Sequence, residues 1–352
     1  MTIDRAEPLL DTSALAGLRY ECLPGCGLCC YAEPLVVPAE HRSLVQIVPE
    51  AEFRSRGGFE FLRSYPDGGA CQLLARHRCG AHPARPGPCR EYPLFGYVGN
   101  RLQAVAVLSC PGVDLAFLEQ YGGSATAAPP RGLDAELSAL RSRISLRVNR
   151  SLEESRRRRR RISRDLEIDG RWVDESEVRR QLQSRLPLPQ DGDFPPPDPP
   201  PQEGGLDLLP LVFDGRAGPL AFAAGSAGWE LLELRPHGGV ATSLGLASPP
   251  DRLPPLSDEA RRVLSGYLRY WLERDQLFAV VHLLMTENRR GDVTDCVAGE
   301  LRRIGALAIS RASVLARLCR GTDGPLSRTD LQQGIRATDQ DLLDREGWGI
   351  RF

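Results

Sequence analysis

The sequence of 352 residues contains no lysine, so all 45 of its basic residues are arginines. This absence excludes enzymes that act through a lysine nucleophile, a lysine Schiff base or a P-loop lysine. An excess of charge of one sign is also missing, because 46 acidic residues leave a formal net charge of -1 at pH 7. No global field therefore marks the protein as a binder of nucleic acid or of a membrane surface.

Long apolar runs are absent as well. No stretch approaches the roughly 18 apolar residues that a membrane helix needs. The segment MTIDRAEPLL lacks the basic and apolar regions of a secretion signal. We therefore expect a soluble, cytoplasmic protein without a membrane partner. The length gives room for one large domain or two ordinary ones, each able to bury its own core.

Cysteine, in contrast, is concentrated in one part of the sequence. Eight of the ten cysteines lie between residues 22 and 110. Because nothing points to export, and reducing compartments keep thiols unpaired, this clustering predicts a metal or redox site. We exclude Cys296 and Cys319, which fall on predicted helices, where a free thiol behaves as a small hydrophobe. The candidate metal ligands are Cys22, Cys26, Cys29, Cys30, Cys71, Cys79, Cys89 and Cys110.

The first four candidates lie in the segment YECLPGCGLCC, whose short spacings allow several thiolates to converge on one metal or iron–sulfur cluster. Gly25 and Gly27 favour such a loop, because glycine tolerates positive φ angles. Neighbouring side chains of an extended segment point in different directions. One member of the pair Cys29 and Cys30 therefore either serves a second site or packs against the protein.

The other four candidates follow in GGACQLLARHRCGAHPARPGPCREYPL and LSCPG. Prolines around Cys89 fix the backbone, which favours a preformed ligand loop. We interpret the flanking Arg85 and Arg90 as cofactor-binding residues, because a guanidinium neutralises thiolates or holds a carboxylate or phosphate. The alternative is that both arginines are solvated. His77 and His82 are alternative ligands, although a lone histidine in such a loop is more often exposed or hydrogen-bonded.

Six short elements of the cysteine region follow one another in a specific order. They are Cys26-Gly27-Leu28-Cys29-Cys30, Cys71-Gln72-Leu73-Leu74, Cys79, Arg85-Pro86, Cys89-Arg90 and Tyr92-Pro93. This order resembles the YkgJ-like CxxCxxCC cysteine-cluster family, described as a zinc- or iron-chelating domain and related to flagellin lysine N-methylase. The resemblance implies a bound metal or iron–sulfur centre. For the methylase branch it also implies S-adenosylmethionine as cofactor and a protein lysine as substrate.

Other interpretations of the cysteines stay open. Cys22, Cys26 and Cys29 have the Cys-x3-Cys-x2-Cys spacing of radical S-adenosylmethionine enzymes. Against this stand the adjacent Cys30, the aliphatic Leu28 and the lack of an alternating strand and helix pattern. Four thiolates also suit tetrahedral zinc. The resulting prediction is a metalloprotein with an iron–sulfur cluster, of the 4Fe–4S type, or with zinc. The alternative is an S-adenosylmethionine-dependent protein lysine N-methyltransferase.

Residues 131 to 166 carry apolar side chains at helical spacing, which predicts a long amphipathic helix. The same stretch has twelve arginines against five acidic residues, with six consecutive arginines from Arg156 to Arg161. A solvated helix face accounts for this charge. The alternative is a surface that binds RNA or DNA through its phosphates.

The remaining sequence predicts a linker and a second domain. Residues 187–206 are rich in proline and favour an extended linker. Four short apolar runs then predict three or four antiparallel strands. Ser257 caps a predicted helix with an apolar stripe from Val263 to Leu272, and a later helix carries Leu301 to Leu318.

The predicted fold class is α+β. It combines an irregular, metal-stabilised Cys-rich module with a C-terminal domain of a small antiparallel sheet and helices. The predicted division is a Cys-rich metal-binding domain (1–130), an Arg-rich helical segment (131–186), a Pro-rich linker (187–206) and an α+β domain of unknown role (207–352).

Overall fold

The structure, a computed structural model, describes most of the chain. It covers residues 10–23, 26–30, 34–56, 58–63, 70–76, 78–99, 101–122, 128–144, 175–190, 208–213, 219–225, 228–234, 240–248, 250–288, 292–321 and 324–344. The arginine run at 156 to 161, most of the predicted linker and His77 lie outside these ranges. Among the helices within them, none is long and apolar enough to cross a membrane.

The cysteine-rich part is built from very short strands and helices. The elements are β1 (Arg19–Tyr20), β2 (Leu35–Val36), α1 (Pro38–Ile47), β3 (Phe53–Arg56), β4 (Phe59–Leu62), β5 (Leu74–Ala75), β6 (Arg78–Cys79), α2 (Gly87–Glu91), β7 (Leu94–Val98), β8 (Leu102–Ala106) and β9 (Val113–Asp114). Strand pairing within the small sheets is antiparallel, in the orders β2–β4–β3, β5–β6, β7–β8 and β1–β9.

The later part of the chain contains longer elements. Two helices, α3 (Asp134–Ile144) and α4 (Glu175–Ser184), precede four strands. These strands form an antiparallel sheet in sequence order, which confirms the strands predicted after the linker. They are β10 (Leu208–Phe213), β11 (Pro219–Gly225), β12 (Gly228–Leu234) and β13 (Val240–Ala247). Four helices follow, α5 (Asp258–Glu273), α6 (Asp275–Asn288), α7 (Val293–Arg320) and α8 (Arg328–Asp344), and the α+β class is confirmed.

Local signals explain where the long helices begin and end. The Ser257 hydroxyl accepts the Ala260 N–H over 3.1 Å, as the predicted N-cap requires. The Asp292 carboxylate caps α7 in the same way, and Gly321 ends this helix with a left-handed φ of 67°. The two predicted apolar stripes lie on α5 and α7 and face the protein interior.

One hydrophobic core joins both parts of the chain. It contains buried side chains from Ala14 to Leu342, including residues of β7, β8, α5, α6 and α7. A second, smaller core lies in the cysteine-rich part around Leu44 and Leu62. A third lies where the four-stranded sheet packs on α7, at Leu220 and Val314. Burial of apolar surface on this scale is the main stabilising contribution to the fold.

A buried polar network joins β8 to α5 and α8. Arg274 and Asp339 are both 0% exposed, and their side chains form an ion pair with a distance of 3.2 Å between Nη1 and Oδ1. Arg274 also donates to the carbonyl oxygen of Ala106 over 2.9 Å, and Asp339 accepts the N–H of Leu108 over 2.7 Å. The Arg274 guanidinium stacks on the ring of Tyr270. The network therefore anchors the segment that leads to Cys110.

Candidate metal centre

Five of the eight predicted ligands line one pocket, called here the cysteine pocket. The five thiols come from four separate segments of the chain, and they are Cys29, Cys30, Cys71, Cys79 and Cys89. The remaining wall consists of Pro34, Leu62, Leu73, Ala81, Arg85 and Pro86. Sulfur is therefore concentrated in a small, otherwise largely apolar space.

Backbone hydrogen bonds hold three of these segments together. The N–H of Cys71 donates to the carbonyl oxygen of Cys30 over 2.6 Å, and Leu74 pairs with Cys79 between β5 and β6. The N–H of Cys30 donates to the carbonyl oxygen of Gly27 over 3.0 Å in a tight turn. Gly27 has a φ of 63°, a left-handed conformation that glycine adopts without strain, as the loop prediction required.

The fourth segment is α2, which carries Cys89 and begins after Pro86. Glu40 on α1 anchors this helix. Its Oε1 atom accepts the N–H of Gly87 over 2.8 Å and the Nη2 of Arg90 over 2.9 Å. These contacts position Cys89 at the wall of the cysteine pocket.

The five thiols differ in acidity. The S–H of Cys30 donates to the sulfurs of Cys29 and Cys79, which raises the pKa of Cys30 and lowers the pKa of both partners. The pKa of Cys79 falls to about 6. Burial raises the pKa of Cys71 to about 11 and raises the pKa of Cys89 as well. At pH 7 the metal-free pocket therefore combines a thiolate at Cys79 with protonated thiols at Cys30, Cys71 and Cys89.

The two arginines that flank Cys89 in sequence have different surroundings. Arg85 lines the cysteine pocket and interacts electrostatically with three of its thiols. Its Nε atom is buried and has no hydrogen-bond partner among the described residues. Arg90 is half exposed, pairs with Glu40 and does not belong to the pocket wall. Of the two arginines, only Arg85 is placed to offset the negative charge of a metal centre bound in the pocket.

The remaining three predicted ligands lie outside the pocket wall. Cys110 is buried in the main core, Cys26 is half-buried and Cys22 is exposed. Pairing of β1 with β9 brings the first cysteine loop next to Cys110, because the Glu21 N–H donates to the carbonyl oxygen of Gly112 over 2.9 Å. Cys110 interacts electrostatically with Cys26 and with Cys29. The structure thus places five of the cysteines in the pocket wall and a group of three outside it, with Cys29 and Cys110 in electrostatic contact.

Tyr92 lies between these two groups. Its side chain is hydrogen-bonded to Cys110 and interacts electrostatically with Cys26 and Cys29. Burial raises the pKa of Tyr92, so its hydroxyl keeps its proton. A protonated hydroxyl at this position can donate to a thiolate of Cys110.

Sequence reasoning missed one residue next to the second group, Arg336 on α8. It lies 226 residues beyond Cys110 in the chain. Its guanidinium donates to three carbonyl oxygens, those of Leu108 (3.2 Å), Cys110 and Val113 (2.7 Å). A single arginine within a long helix carries no motif, so no sequence signal could have found this contact.

The histidines contribute little to either group. His82 is exposed and does not line the cysteine pocket, and the charge of Arg85 lowers its pKa. His41 stacks on Phe53 and is hydrogen-bonded to Glu60 over 2.9 Å, as an ordinary structural histidine is. The other alternative ligand, His77, lies outside the described residues.

The chemistry of the cysteine pocket fits a soft metal. Thiolates are the ligands that zinc and iron–sulfur clusters prefer, and the buried Nε of Arg85 offers a positive group to an anionic centre. Within the described residues, no three Cys, His, Asp or Glu side chains already converge in a geometry that could hold a metal ion. Ligation therefore requires the thiols to rotate toward a common point.

Comparisons with known proteins agree with the cysteine pattern. Residues 21–110 match the family model CxxCxxCC, whose description reads "Putative zinc- or iron-chelating domain". Neither the curated proteins nor the solved structures gave a match. The matched range contains all eight predicted ligands and Arg85. Residues 21–110 are therefore similar to a cysteine-cluster domain whose description gives a zinc- or iron-chelating role.

Proposed function

We propose that the protein binds a zinc or iron centre in the cysteine pocket through thiolate ligands. The observation that carries this proposal is the convergence of five cysteines from four segments on one small space. Chain folding has brought together side chains that lie as far apart in sequence as Cys29 and Cys89. The Glu40 carboxylate, which accepts the Gly87 N–H, and the hydrogen bond from the Cys71 N–H to the Cys30 carbonyl oxygen fix the backbone that presents them.

The electrostatics of the pocket support a centre with negative charge. Four thiolates around a divalent ion leave a doubly negative group, which is costly to bury without compensation. Arg85 reduces this cost, because its guanidinium is permanently charged and its Nε atom has no hydrogen-bond partner among the described residues. The Cys30 thiol, which donates to Cys29 and Cys79, stabilises thiolate at these two positions.

Two occupants suit this donor set. Four of the five thiolates would complete a tetrahedral zinc site, which contributes directly to folding. The same number would hold a 4Fe–4S cluster, which supplies one-electron redox chemistry. The protein's own residues have the same role in both cases, since they present thiolates and place Arg85 against the centre.

Metal analysis of protein purified without oxygen tests this proposal. We expect stoichiometric zinc in a colourless protein, or iron with acid-labile sulfide and visible absorption in a brown one. Cys71→Ser and Cys79→Ser should each remove the metal of the pocket. The matched control is Cys319→Ser, because this thiol is exposed and lies near the end of α7.

The proposal fails if the anaerobically purified protein carries neither zinc nor iron. It also fails if both pocket variants retain the full metal content of the unmodified protein. Circular dichroism and the thermal midpoint of each variant show whether a loss of metal follows from loss of one ligand or from global unfolding.

A second hypothesis rests on the sequence resemblance alone. The cysteine pattern resembles a family related to flagellin lysine N-methylase, which suggests an S-adenosylmethionine-dependent enzyme with a protein lysine as substrate. Isothermal titration calorimetry of the metal-loaded protein with S-adenosylmethionine tests this idea. Absence of binding would exclude it and leave the metal centre itself as the proposed function.

A further inference from the structure

Two thiols of the cysteine pocket form a candidate site of oxidation. We propose that Cys79 and Cys30 form a disulfide when a hydroperoxide enters the metal-free pocket, and that this disulfide and a bound metal exclude each other. The second half of the inference rests on the proposed function, because it concerns the occupancy of the same pocket. The first half concerns the thiols alone and does not depend on a metal.

The two sulfurs are already in contact. The S–H of Cys30 donates a hydrogen bond to the sulfur of Cys79, and both side chains line the cysteine pocket. A disulfide needs a distance of about 2.05 Å between the sulfurs. Rotation of the two side chains between staggered positions changes the sulfur positions without moving the backbone.

Backbone hydrogen bonds hold both residues beside one turn. The N–H of Cys71 donates to the carbonyl oxygen of Cys30 over 2.6 Å, and Leu74 pairs with Cys79 between β5 and β6. The N–H of Leu74 donates to the carbonyl oxygen of Cys71 over 2.9 Å and closes the turn. Cys30 is therefore held at the start of this turn and Cys79 at its end, so the fold itself brings the two together.

Other pairs of thiols in the pocket are less suited to this bond. The S–H of Cys30 also donates to Cys29, but adjacent Cα atoms lie about 3.8 Å apart, below the usual disulfide range of about 4.4 to 6.8 Å. A bond between these neighbours would be strained and easily reduced. The sulfur of Cys71 accepts the Leu73 N–H over 3.5 Å and is thus directed to its own turn. The favoured partner of Cys30 is Cys79.

Burial decides which of the two sulfurs meets the oxidant. Cys79 is partly exposed, whereas Cys30 is buried. A small, uncharged hydroperoxide therefore reaches Cys79 first, and Cys30 acts as the resolving thiol. Arg85 lines the same pocket, and its buried Nε atom has no hydrogen-bond partner among the described residues. This N–H can donate to the peroxide oxygen that leaves with negative charge.

Two displacements complete the oxidation. The sulfur of Cys79 attacks one peroxide oxygen, so that an S–O bond forms and the O–O bond breaks, and the thiol proton leaves with the other oxygen as water or an alcohol. The sulfur of Cys30 then attacks the resulting sulfenic acid, so that an S–S bond forms, the S–O bond breaks and water leaves. Two thiols lose two electrons and two protons in total, and one hydroperoxide is reduced.

This reaction removes two of the five thiols from the donor set of the pocket. Thiolates are the ligands of soft metals, and a sulfur in a disulfide has no charge to offer. Cys29, Cys71 and Cys89 then remain, one fewer than the four ligands of a closed tetrahedral site. Sulfurs that hold a metal are in turn not free to attack a peroxide. Oxidation should therefore release the metal, and metal binding should slow oxidation.

Peptide mass spectrometry of the metal-free protein tests the disulfide. Protein treated with a chelator without oxygen receives one equivalent of hydrogen peroxide, and free thiols are alkylated before digestion without reduction. We expect one linked pair of peptides, in which fragmentation assigns the bond to Cys30 and Cys79. Cys30→Ser should stop at a sulfenic acid on Cys79, which dimedone traps. Cys71→Ser should still form the disulfide.

The unmodified protein decides this point, so the result does not depend on the folding of a variant. A disulfide from Cys79 to Cys29 or Cys71, or retention of all thiols after peroxide treatment, would overturn the inference. Arg85→Gln should slow thiol loss by at least about 10-fold, because a donor aimed at developing charge typically contributes more than that. The control Arg63→Gln, at an exposed ion pair, should not. Equal rates in both variants would overturn the role of the Arg85 guanidinium.

Zinc release tests the exclusion between disulfide and metal. Zinc-loaded and metal-free protein receive the same dose of hydrogen peroxide. We expect slower thiol loss in the loaded protein, transfer of its zinc to a chromophoric chelator, and renewed zinc binding after reduction with dithiothreitol. The control Cys319→Ser should behave like the unmodified protein, because this thiol is exposed outside the pocket.

The outcomes separate this inference from the proposed function. Oxidised protein that keeps its full zinc affinity would overturn the exclusion and leave the proposed function intact. Protein that binds neither zinc nor iron in its reduced form would overturn the proposed function and the exclusion with it. The peptide map of the metal-free protein would still decide whether Cys30 and Cys79 form a disulfide.

Discussion

Single residues decide how much negative charge the cysteine pocket can hold. Arg85 lies in the pocket wall, with an Nε atom that has no hydrogen-bond partner within the described ranges. Arg90 is half exposed and pairs with Glu40 instead. Both arginines flank Cys89 in the sequence, yet only one of them is placed to offset the charge of bound thiolates.

Replacement of Arg85 tests this difference. Arg85→Gln should weaken zinc binding in the pocket by about 10- to 100-fold, because outer partners of metal ligands typically contribute that much. Arg63→Gln is the control and should change the affinity by less than about threefold, since this arginine lies outside the pocket wall and forms an exposed ion pair with Glu52. Competition with a chromophoric chelator measures both affinities. Equal effects of the two substitutions would contradict the assignment of Arg85.

Proton release gives a second prediction at this scale. Burial raises the pKa of Cys71 to about 11 and raises that of Cys89, so both thiols hold protons at pH 7. Metal binding needs thiolates, so binding through Cys71 and Cys89 should release about two protons from these thiols, which strengthens binding by about 100-fold per pH unit. This increase ends where the pH passes the thiol pKa values. Cys79, with a pKa of about 6, is already mostly ionised at pH 7 and should release almost no proton when the metal binds.

Calorimetric zinc titrations in two buffers of different ionisation enthalpy count these protons. The same titrations at pH values on either side of neutrality give the pH dependence of the affinity. Binding that releases no protons, or that weakens as the pH rises, would contradict the protonation pattern of the metal-free pocket.

The sequence predicted the ligand candidates well but not their grouping. The clustering of the cysteines is visible in their positions along the sequence. Residues 21–110 also match the zinc- or iron-chelating family model. Which thiol faces which neighbour depends on side-chain directions that the tertiary fold sets. Cys29 and Cys110 therefore could not be assigned to different groups from spacing alone.

At the scale of elements, the contact between α1 and α2 positions Cys89. Glu40 accepts hydrogen bonds from the Gly87 N–H and from Arg90. Because α2 is only five residues long, its own hydrogen bonds cannot hold it in place. The anchoring carboxylate on the neighbouring helix supplies the missing constraint.

Loss of this anchor should loosen α2 without unfolding the protein. Glu40→Ala removes hydrogen bonds to a charged acceptor, which typically contribute about 1.5 to 3 kcal/mol each. We expect faster amide hydrogen exchange at Gly87 and weaker zinc binding in the cysteine pocket. Glu52→Ala is the control, because this exposed carboxylate pairs with Arg63 and does not contact α2. Unchanged exchange at Gly87 would contradict the role of Glu40.

Long elements were easier to predict than short ones. The strands after the linker and the helices after Ser257 have apolar patterns of the right period, and the structure confirms them. Two-residue strands such as β5 and β6 are too short to show the alternation of apolar and polar residues that identifies a strand in the sequence. Their positions depend on backbone pairing around the cysteines, so the sequence predicted only an irregular module there.

At the scale of the whole molecule, the cysteine-rich part and the C-terminal helices share one core. Buried residues from Ala14 to Leu342 belong to a single cluster. The core thus crosses the domain boundaries predicted at 130 and 206, and that division stays a prediction. An apolar stripe shows that a helix face is buried but not which element covers it, so this arrangement could not be read from the sequence.

The pair of Arg274 and Asp339 gives a test of this shared core. Both side chains are 0% exposed, and they connect α5 and α8 to the segment around Ala106 and Leu108. Asp339→Ala leaves the guanidinium without its buried partner, so the free energy of unfolding should fall by about 3 to 5 kcal/mol. Urea unfolding followed by tryptophan fluorescence and by circular dichroism measures the change.

Both probes should report one cooperative transition, because the core is continuous through the cysteine-rich part and the C-terminal helices. Glu259→Ala, which removes an exposed ion pair with Arg262, is the control and should change stability by less than about 1 kcal/mol. A similarly small effect of Asp339→Ala would show that the network does not join the two parts of the chain. Two separate transitions would show that each part has its own stability, as the predicted division into domains implies.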